Sequence, residues 1–276
     1  MSIGSVIANR RKDLGITQGA LAEKLDVSFQ AVSLWERDES LPDTDRLQDI
    51  AAALSIRVSE LFEEEGVEPS HWDLKDEMFS VDHMYKRVQE YSRAKRYTEA
   101  LTAIRVMKKA HEGQFRKGKD HIPYIFHPLL MACHAFALGI DDDELISTIL
   151  LHDVLEDCDV TEEELGVNAA ITEAVKLLSY TEPDGMSEEE AMERYYCGIA
   201  SNRIATIVKL LDRCNNVSTM AMGFTRKKMA EYIEETERYV YPLFDIVKEN
   251  YDTYYNAAFL LKYQMKSILE SLKRTL

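Results

Sequence analysis

Apolar residues recur at helical intervals along almost the whole chain. In the first 65 residues, Ile7, Leu14, Ile16, Leu21, Leu25, Val27, Val32, Trp35, Leu47, Ile50, Leu54, Val58 and Leu61 recur at helical spacings within each segment. That is the pattern of helices with one buried face. Thr17 and Ser28 stand where N-caps are needed, ahead of helices predicted over Gln18–Leu25 and Phe29–Arg37. Asp38–Asp43 reads as a turn. A fourth helix starts at Asp43 or Thr44 and runs to Leu54, and Ser59–Phe62 closes a short fifth.

Glu63 to about Asp76 is acidic and contains Gly66 and Pro69, the composition of a linker. The organisation read from this is a first domain over 1–65, a linker over 66–77 and a second domain over 78–276. The second domain is patterned for helices nearly throughout, with breaks expected near Gly113–Pro123, Gly139–Asp142, Glu182–Gly185 and Pro242. Beta-branched runs are scarce, so the predicted fold class is all-α: a five-helix domain followed by a larger helical one.

Composition narrows the classes of function. Hydrophobic residues make up 46% and charged residues 30%, an ordinary globular balance. No apolar run approaches the ~20 residues of a membrane span, and Met1–Arg11 lacks the layout of a signal peptide. Cys133, Cys158, Cys197 and Cys214 form no C-x-x-C pair and read as reduced thiols of a cytoplasmic protein. The net charge of −16 argues against non-specific nucleic-acid binding, which relies on neutralising phosphates. It leaves room for a local basic site. Residues 105–119 supply one, with Arg105, Lys108, Lys109, Arg116, Lys117 and Lys119 opposed only by Glu112. Arg105, Lys108 and Lys109 read as a solvated helix face. Arg116 and Lys117, beside Gly113 and Gly118, are better placed to reach phosphate.

The chemistry sits in four strings: Ala110-His111-Glu112-Gly113-Gln114-Phe115-Arg116-Lys117, Pro123-Tyr124-Ile125-Phe126-His127-Pro128, Leu151-His152-Asp153-Val154-Leu155-Glu156-Asp157 and Lys209-Leu210-Leu211-Asp212-Arg213-Cys214-Asn215-Asn216. His152-Asp153 follows Ile149-Leu150-Leu151, so its carboxylate enters an apolar helix, which is costly unless paired or metal-bound. Glu156 and Asp157 lie one turn on, near the same face. Three acids and a histidine would repel without a cation. With His127 and Asp212 as distant partners, the donor set of two histidines and two carboxylates suits a first-row ion with open positions. Mn²⁺ fits, and Zn²⁺ or Fe²⁺ are alternatives.

These strings resemble the hydrolase domain of RelA/SpoT-type enzymes, in particular the small stand-alone alarmone hydrolases. The likeness runs from about Tyr97 to Thr219 through A-H-x-G-Q-x-R-K, P-Y-I-x-H-P, L-L-H-D-V-x-E-D and K-L-x-D-R-x-x-N. It implies an all-helical HD fold holding one Mn²⁺ on His127, His152, Asp153 and Asp212, with Glu156 and Asp157 handling the attacking water. It also implies substrate contacts at Arg116, Lys117, Tyr124, Asn216 and Thr219. The implied reaction is removal of the 3′-pyrophosphate from guanosine 5′-di(or tri)phosphate 3′-diphosphate (ppGpp or pppGpp). Two stretches depart from the family pattern, Gly118-Lys119-Asp120-His121 after the Arg-Lys pair and Cys214-Asn215 in the last string. Two rival readings remain: a regulator whose HD domain binds a nucleotide without turnover, and a hydrolase of another nucleotide such as an adenine alarmone or NADPH. Glu156 and Asp157 speak against the first, because a sensor has less need of a water-handling pair.

Residues 1–65 resemble the Cro/phage-repressor (XRE) helix-turn-helix family through T-Q-x-x-L-A and W-E-R-x-x-x-x-P-D. The resemblance implies that the helix after Ser28 enters the major groove of double-stranded DNA. Gln18, Ser28, Phe29, Gln30 and Ser33 would then face bases or phosphates, and Arg10 and Arg11 the backbone. It also implies a homodimer. Against this, the segment holds seven Lys and Arg and thirteen Asp and Glu, a net of −6. The alternative is a protein-contact or dimerisation module that kept the fold.

Overall fold

The capping residues chosen from sequence act as caps. Thr17 Oγ1 accepts the Ala20 N–H at 3.1 Å, and Ser28 Oγ accepts that of Ala31 at 3.1 Å. Each is worth about 1 kcal/mol to the helix it starts. The structure is a computed structural model and describes residues 3–43, 46–56, 58–61, 77–116, 122–181, 183 and 185–276. The chain divides into two compact units, Met1–Asp73 and Leu74–Leu276. Among the described residues there is no β-strand, only an isolated bridge between Phe115 and Pro123. The all-α class read from the apolar spacing is what the chain adopts.

In the first unit, α1 (Ile3–Asp13), α2 (Gln18–Lys24), α3 (Phe29–Glu36) and α4 (Leu47–Ala53) are followed by a 3₁₀ turn, Val58–Leu61. Ile7, Leu21, Val32, Trp35, Ile50, Leu54 and Leu61 meet in its core. Leu14 does not join them. It lies past the end of α1, beside Gly15 at φ 67°, and is 44% exposed. Gly4 is needed for packing, because a Cβ there would sit 1.9 Å from the Trp35 carbonyl oxygen. That absence lets α1 lie against α3. Asp38, at φ 57°, closes the contact by accepting the Gly4 N–H at 3.1 Å. The predicted helix start at Thr44, the end of the fifth helix at Phe62, and the 66–77 linker apart from Glu77 lie outside the described residues.

The second unit runs α5 (Val81–Lys95), α6 (Thr98–Ala110), α7 (Phe126–Ala137), α8 (Asp143–Leu151), α9 (Val154–Asp157), α10 (Ala169–Leu178), α11 (Glu188–Ala200), α12 (Arg203–Gly223), α13 (Arg226–Glu235), α14 (Tyr241–Asn250) and α15 (Tyr255–Lys273). Helix α8 is the hub and packs on α6, α7, α10 and α12. Every residue from Leu145 to Leu151 is buried. Its leucines and isoleucines each contribute about 1.5–3 kcal/mol by burial. The break expected at Pro242 is absent. The helical path continues from Arg226 to Asn250 through a π turn, Thr236–Val240. Pro242 falls in the first turn of α14, where a missing N–H costs least, and the wider turn upstream absorbs the change in register. Among the described residues, no helix is long and apolar enough to cross a membrane.

Candidate functional site

Three helices of the second unit deliver the buried polar groups to one place. His127 stands in the first turn of α7. His152 and Asp153 form the bend where α8 stops and α9 begins. Asp212 projects from α12, whose start is set by Asn202 accepting the N–H groups of Ile204 and Ala205 at 2.9 and 3.0 Å. Ligand atoms of His127, His152 and Asp212 all lie within 4.8 Å of one another, and all three residues are buried.

The hydrogen bonds fix the tautomer of His152. Its Nδ1 lies 2.9 Å from the Ile149 carbonyl oxygen. A carbonyl only accepts, so Nδ1 carries the hydrogen and Nε2 presents its lone pair. That Nε2 is buried with no hydrogen-bond partner. It approaches Asp153 Oδ2 to 3.0 Å, too far off axis to bond, and Asp212 Oδ1 to 3.8 Å. A lone pair facing two carboxylates is unfavourable until a cation sits between them. A proton can be that cation: burial works against a charged His152, but Asp153 and then Asp212 outweigh it and push its pKa up to about 9, so a metal ion would take the place of the Nε2 proton. Burial holds His127 below its usual value. Burial would raise the Asp212 carboxyl, but Lys209 first, then His127 and His152, keep it well below the usual range. The residues therefore fit a divalent cation, on an orphaned imidazole nitrogen surrounded by acids rather than on a motif.

These residues line a cavity of about 770 Å³ together with Arg116, Tyr124, Glu156, Asp157, Lys209 and Asn216. The Tyr124 hydroxyl lies within hydrogen-bond distance of both Asp153 Oδ2 (2.7 Å) and Asp157 Oδ2 (2.6 Å) and ties the two acids into one wall. The Tyr124 ring stacks on His111 at 4.4 Å, and His111 Nδ1 meets Gln114 Oε1 at 2.8 Å. His111 is therefore a support for the wall. Glu156 accepts the Tyr180 N–H at 2.9 Å. Burial, aided by Asp153 and Asp157 and only partly opposed by that bond, raises its pKa.

The other substrate-side candidates are placed unevenly. Arg116 reaches Asn216 Oδ1 at 3.4 Å, and Asn216 Nδ2 donates to Asp212 Oδ1 at 2.6 Å. A polar chain thus links Arg116 to the centre. Thr219 turns its hydroxyl back toward the carbonyls of Asn215 and Asn216 and does not line the cavity. Lys117 lies outside the described residues. Sequence reading passed over Lys209, which stands 3.5 Å from Asp212 Oδ2 and donates to the Tyr195 hydroxyl at 3.1 Å. Its position three residues before Asp212 was the available signal. Tyr180, Tyr195, Tyr232 and Glu235 also line the cavity and come from segments with no motif.

In the first unit, Arg11 and Gln18 are engaged internally. Arg11 donates to both Glu36 oxygens at 2.6 and 3.0 Å and to the Ile16 carbonyl at 2.7 Å, and Gln18 donates to Glu36 at 2.7 Å. The Ser28 hydroxyl caps α3. Phe29 is 56% exposed, Gln30 is exposed, Ser33 is half-buried, and Arg10 is exposed 3.8 Å from Asp13.

Fold and site define an all-helical protein with a helix-turn-helix unit and a separate unit built around a buried His/His/Asp centre fit for a divalent cation. Comparison with known proteins bears out the helix-turn-helix unit. Residues 7–61 match the Helix-turn-helix family model HTH_3. Over 169 residues the chain is 29% identical to the guanosine-3′,5′-bis(diphosphate) 3′-pyrophosphohydrolase of Vibrio cholerae, covering 59% of this chain and 24% of that protein. It is 31% identical over 150 residues to the protein of the same name from Aquifex aeolicus, covering 52% and 21%. It is 33% identical over 138 residues to a GTP pyrophosphokinase of Myxococcus xanthus, covering 46% and 18%. The matches thus take in about half of this chain but at most 24% of these relatives. A solved structure, ComR from S. thermophilus in complex with DNA and its signalling peptide, aligns at a TM-score of 0.25 and 14% identity, a likeness that carries no argument.

Proposed function

We propose that the second unit is a metal-dependent hydrolase that removes the 3′-pyrophosphate from ppGpp or pppGpp. The observation that supports it best is the His152 Nε2 lone pair facing Asp153 and Asp212, beside an acid wall held by Tyr124. His127, His152, Asp212 and Asp153 would hold the ion, with Mn²⁺ preferred and Zn²⁺ or Fe²⁺ as alternatives. When bound, it would supply Lewis-acid chemistry, polarising phosphoryl oxygens and acidifying water.

The chain's own residues divide the remaining work. Glu156, with its raised pKa, orients the attacking water and takes its proton. Asp157 shares the Tyr124 hydroxyl with Asp153, which fixes the wall against which the water rests. The water oxygen bonds to the phosphorus next to the 3′ oxygen, the P–O3′ bond breaks, and the 3′ oxygen leaves as a hydroxyl after taking up a proton. The products are GDP or GTP and pyrophosphate. Arg116 and Lys117 offset charge on the departing pyrophosphate, and Asn216 keeps Arg116 in register with Asp212.

The first unit, on this reading, binds double-stranded DNA as a homodimer. Phe29, Gln30 and Ser33 on α3 supply base contacts and Arg10 a backbone contact, while Arg11 and Gln18 stabilise the unit from inside. Product chromatography of ppGpp incubated with the full chain, with Mn²⁺ or with EDTA, tests the enzyme reading. GDP and pyrophosphate should form only with Mn²⁺ and only when Asp153 is intact. Nucleotide binding without turnover would favour the regulatory reading instead. Selection from a random duplex library tests the DNA reading, and its absence in a light-scattering dimer would favour an assembly module.

A further inference from the structure

The His111 ring that supports the acid wall has another side. There, a groove of about 500 Å³ is lined by Tyr85, Arg105, Lys108, Lys109, His111 and Phe115, among others. Of its lining residues, only Gln114 and Phe115 also line the metal cavity. The volume lies in the range of small-molecule sites.

Arg105, Lys108 and Lys109 occupy positions i, i+3 and i+4 of α6, so three cations share one strip of helix surface. Like-charged pairs at these spacings destabilise a helix. Among the described residues, none of the three has a carboxylate oxygen within 4.0 Å, although the chain has 49 acidic residues against 33 basic ones. The last-turn lysines complement the helix dipole, but Arg105 lies upstream of that turn. Aromatic surface completes the groove. Lys108 Nζ lies 4.9 Å from the Tyr85 ring centroid, Phe115 is 53% exposed, and His111 is buried.

We propose that this groove is a second nucleotide site, separate from the metal cavity, that takes a nucleoside di- or triphosphate. The base rests against Tyr85 and Phe115, and the phosphates are held by Arg105, Lys108 and Lys109. The site lies one ring layer from the acid wall, because His111 stacks on the tyrosine that holds Asp153 and Asp157.

The test is calorimetric titration of the full-length protein with N-methylanthraniloyl-GDP in excess EDTA, so binding is read apart from turnover, and the groove site is judged by its own variant. The wild type should bind two molecules per chain. A combined Arg105→Glu, Lys108→Glu and Lys109→Glu variant should bind one, and Arg116→Glu alone should lose the other. All three reversed residues are exposed, and Glu in place of the last-turn lysines opposes the helix dipole, so the combined variant should still melt cooperatively, at a modestly lower temperature than the wild type. Tyr85→Leu, which keeps bulk but removes the stacking face, should weaken the groove site about tenfold. Two sites retained in the combined variant, or a single wild-type site abolished by Arg116→Glu, would overturn the proposal. Equal displacement by inorganic pyrophosphate would overturn the nucleotide assignment, since the aromatic walls would then play no part.

Discussion

Arg11→Ala is expected to act on the fold of the first unit. The Arg11 side chain is 12% exposed and that of Glu36 6%. Removing the guanidinium takes away both charged bonds to Glu36 and the bond to Ile16, leaving a buried carboxylate with only Gln18. Breaking a buried pair in this way costs about 3–5 kcal/mol, against a total of about 5–15 kcal/mol for a whole domain. At about 4–8 °C per kcal/mol for a domain of this size, the first unit should melt well over 10 °C earlier. Thermal unfolding of the full chain, followed by circular dichroism and by the emission of buried Trp35, measures it. Removing both partners as Arg11→Met with Glu36→Leu should recover much of the loss, because no lone charge remains. A loss below about 1 kcal/mol, the value of an exposed pair, or a double variant no better than the single one, would refute the reasoning. The pH dependence has a definite sign. Burial raises the Glu36 carboxyl, but the bonds from Arg11 and Gln18 outweigh it and hold it below the ordinary value of 4.5. A depressed folded pKa gives stability that is present above the unfolded value and lost as pH falls through the folded one. The wild-type first unit should therefore weaken on acidification below pH 4.5, and Glu36→Gln should flatten that response.

Three further outcomes are expected. His152→Ala should weaken Mn²⁺ binding by at least about 100-fold in calorimetry; unchanged affinity would remove His152 from the centre. Tyr124→Phe deletes a hydroxyl shared by two carboxylates, and hydrogen bonds to charged groups are worth about 1.5–3 kcal/mol. Its kcat for pyrophosphate release should fall about 10- to 100-fold with KM little changed, and an unaltered kcat would show that the acid wall needs no tie. Gly4→Ala places a Cβ 1.9 Å from a backbone oxygen and should destabilise the first unit by at least about 1–3 kcal/mol, read as a lower urea midpoint.

Much of this protein was legible in its sequence because the relevant physics is local. Helical spacing of apolar residues, and hydroxyls one residue ahead of them, determined the helices and their starts, as Thr17 and Ser28 show. The donor types of the centre were legible too, since a histidine and an acid following three buried aliphatics need a counter-charge. Other features depended on distances between residues far apart in the chain, which only the tertiary structure decides. Helix α8 brings His152 to His127 and Asp212. Arg11 pairs with Glu36, 25 residues away. Tyr195 and Glu235 enter the cavity because α11 and α13 pack around it, and no local pattern marks them. Arg105, Lys108 and Lys109 are exposed, as a solvated face would be, but the groove that they line with Tyr85 and Phe115 is set by packing. Backbone propensity and burial pattern are written residue by residue along the chain, whereas electrostatic pairing and cavities depend on through-space distance, which the folded packing alone sets.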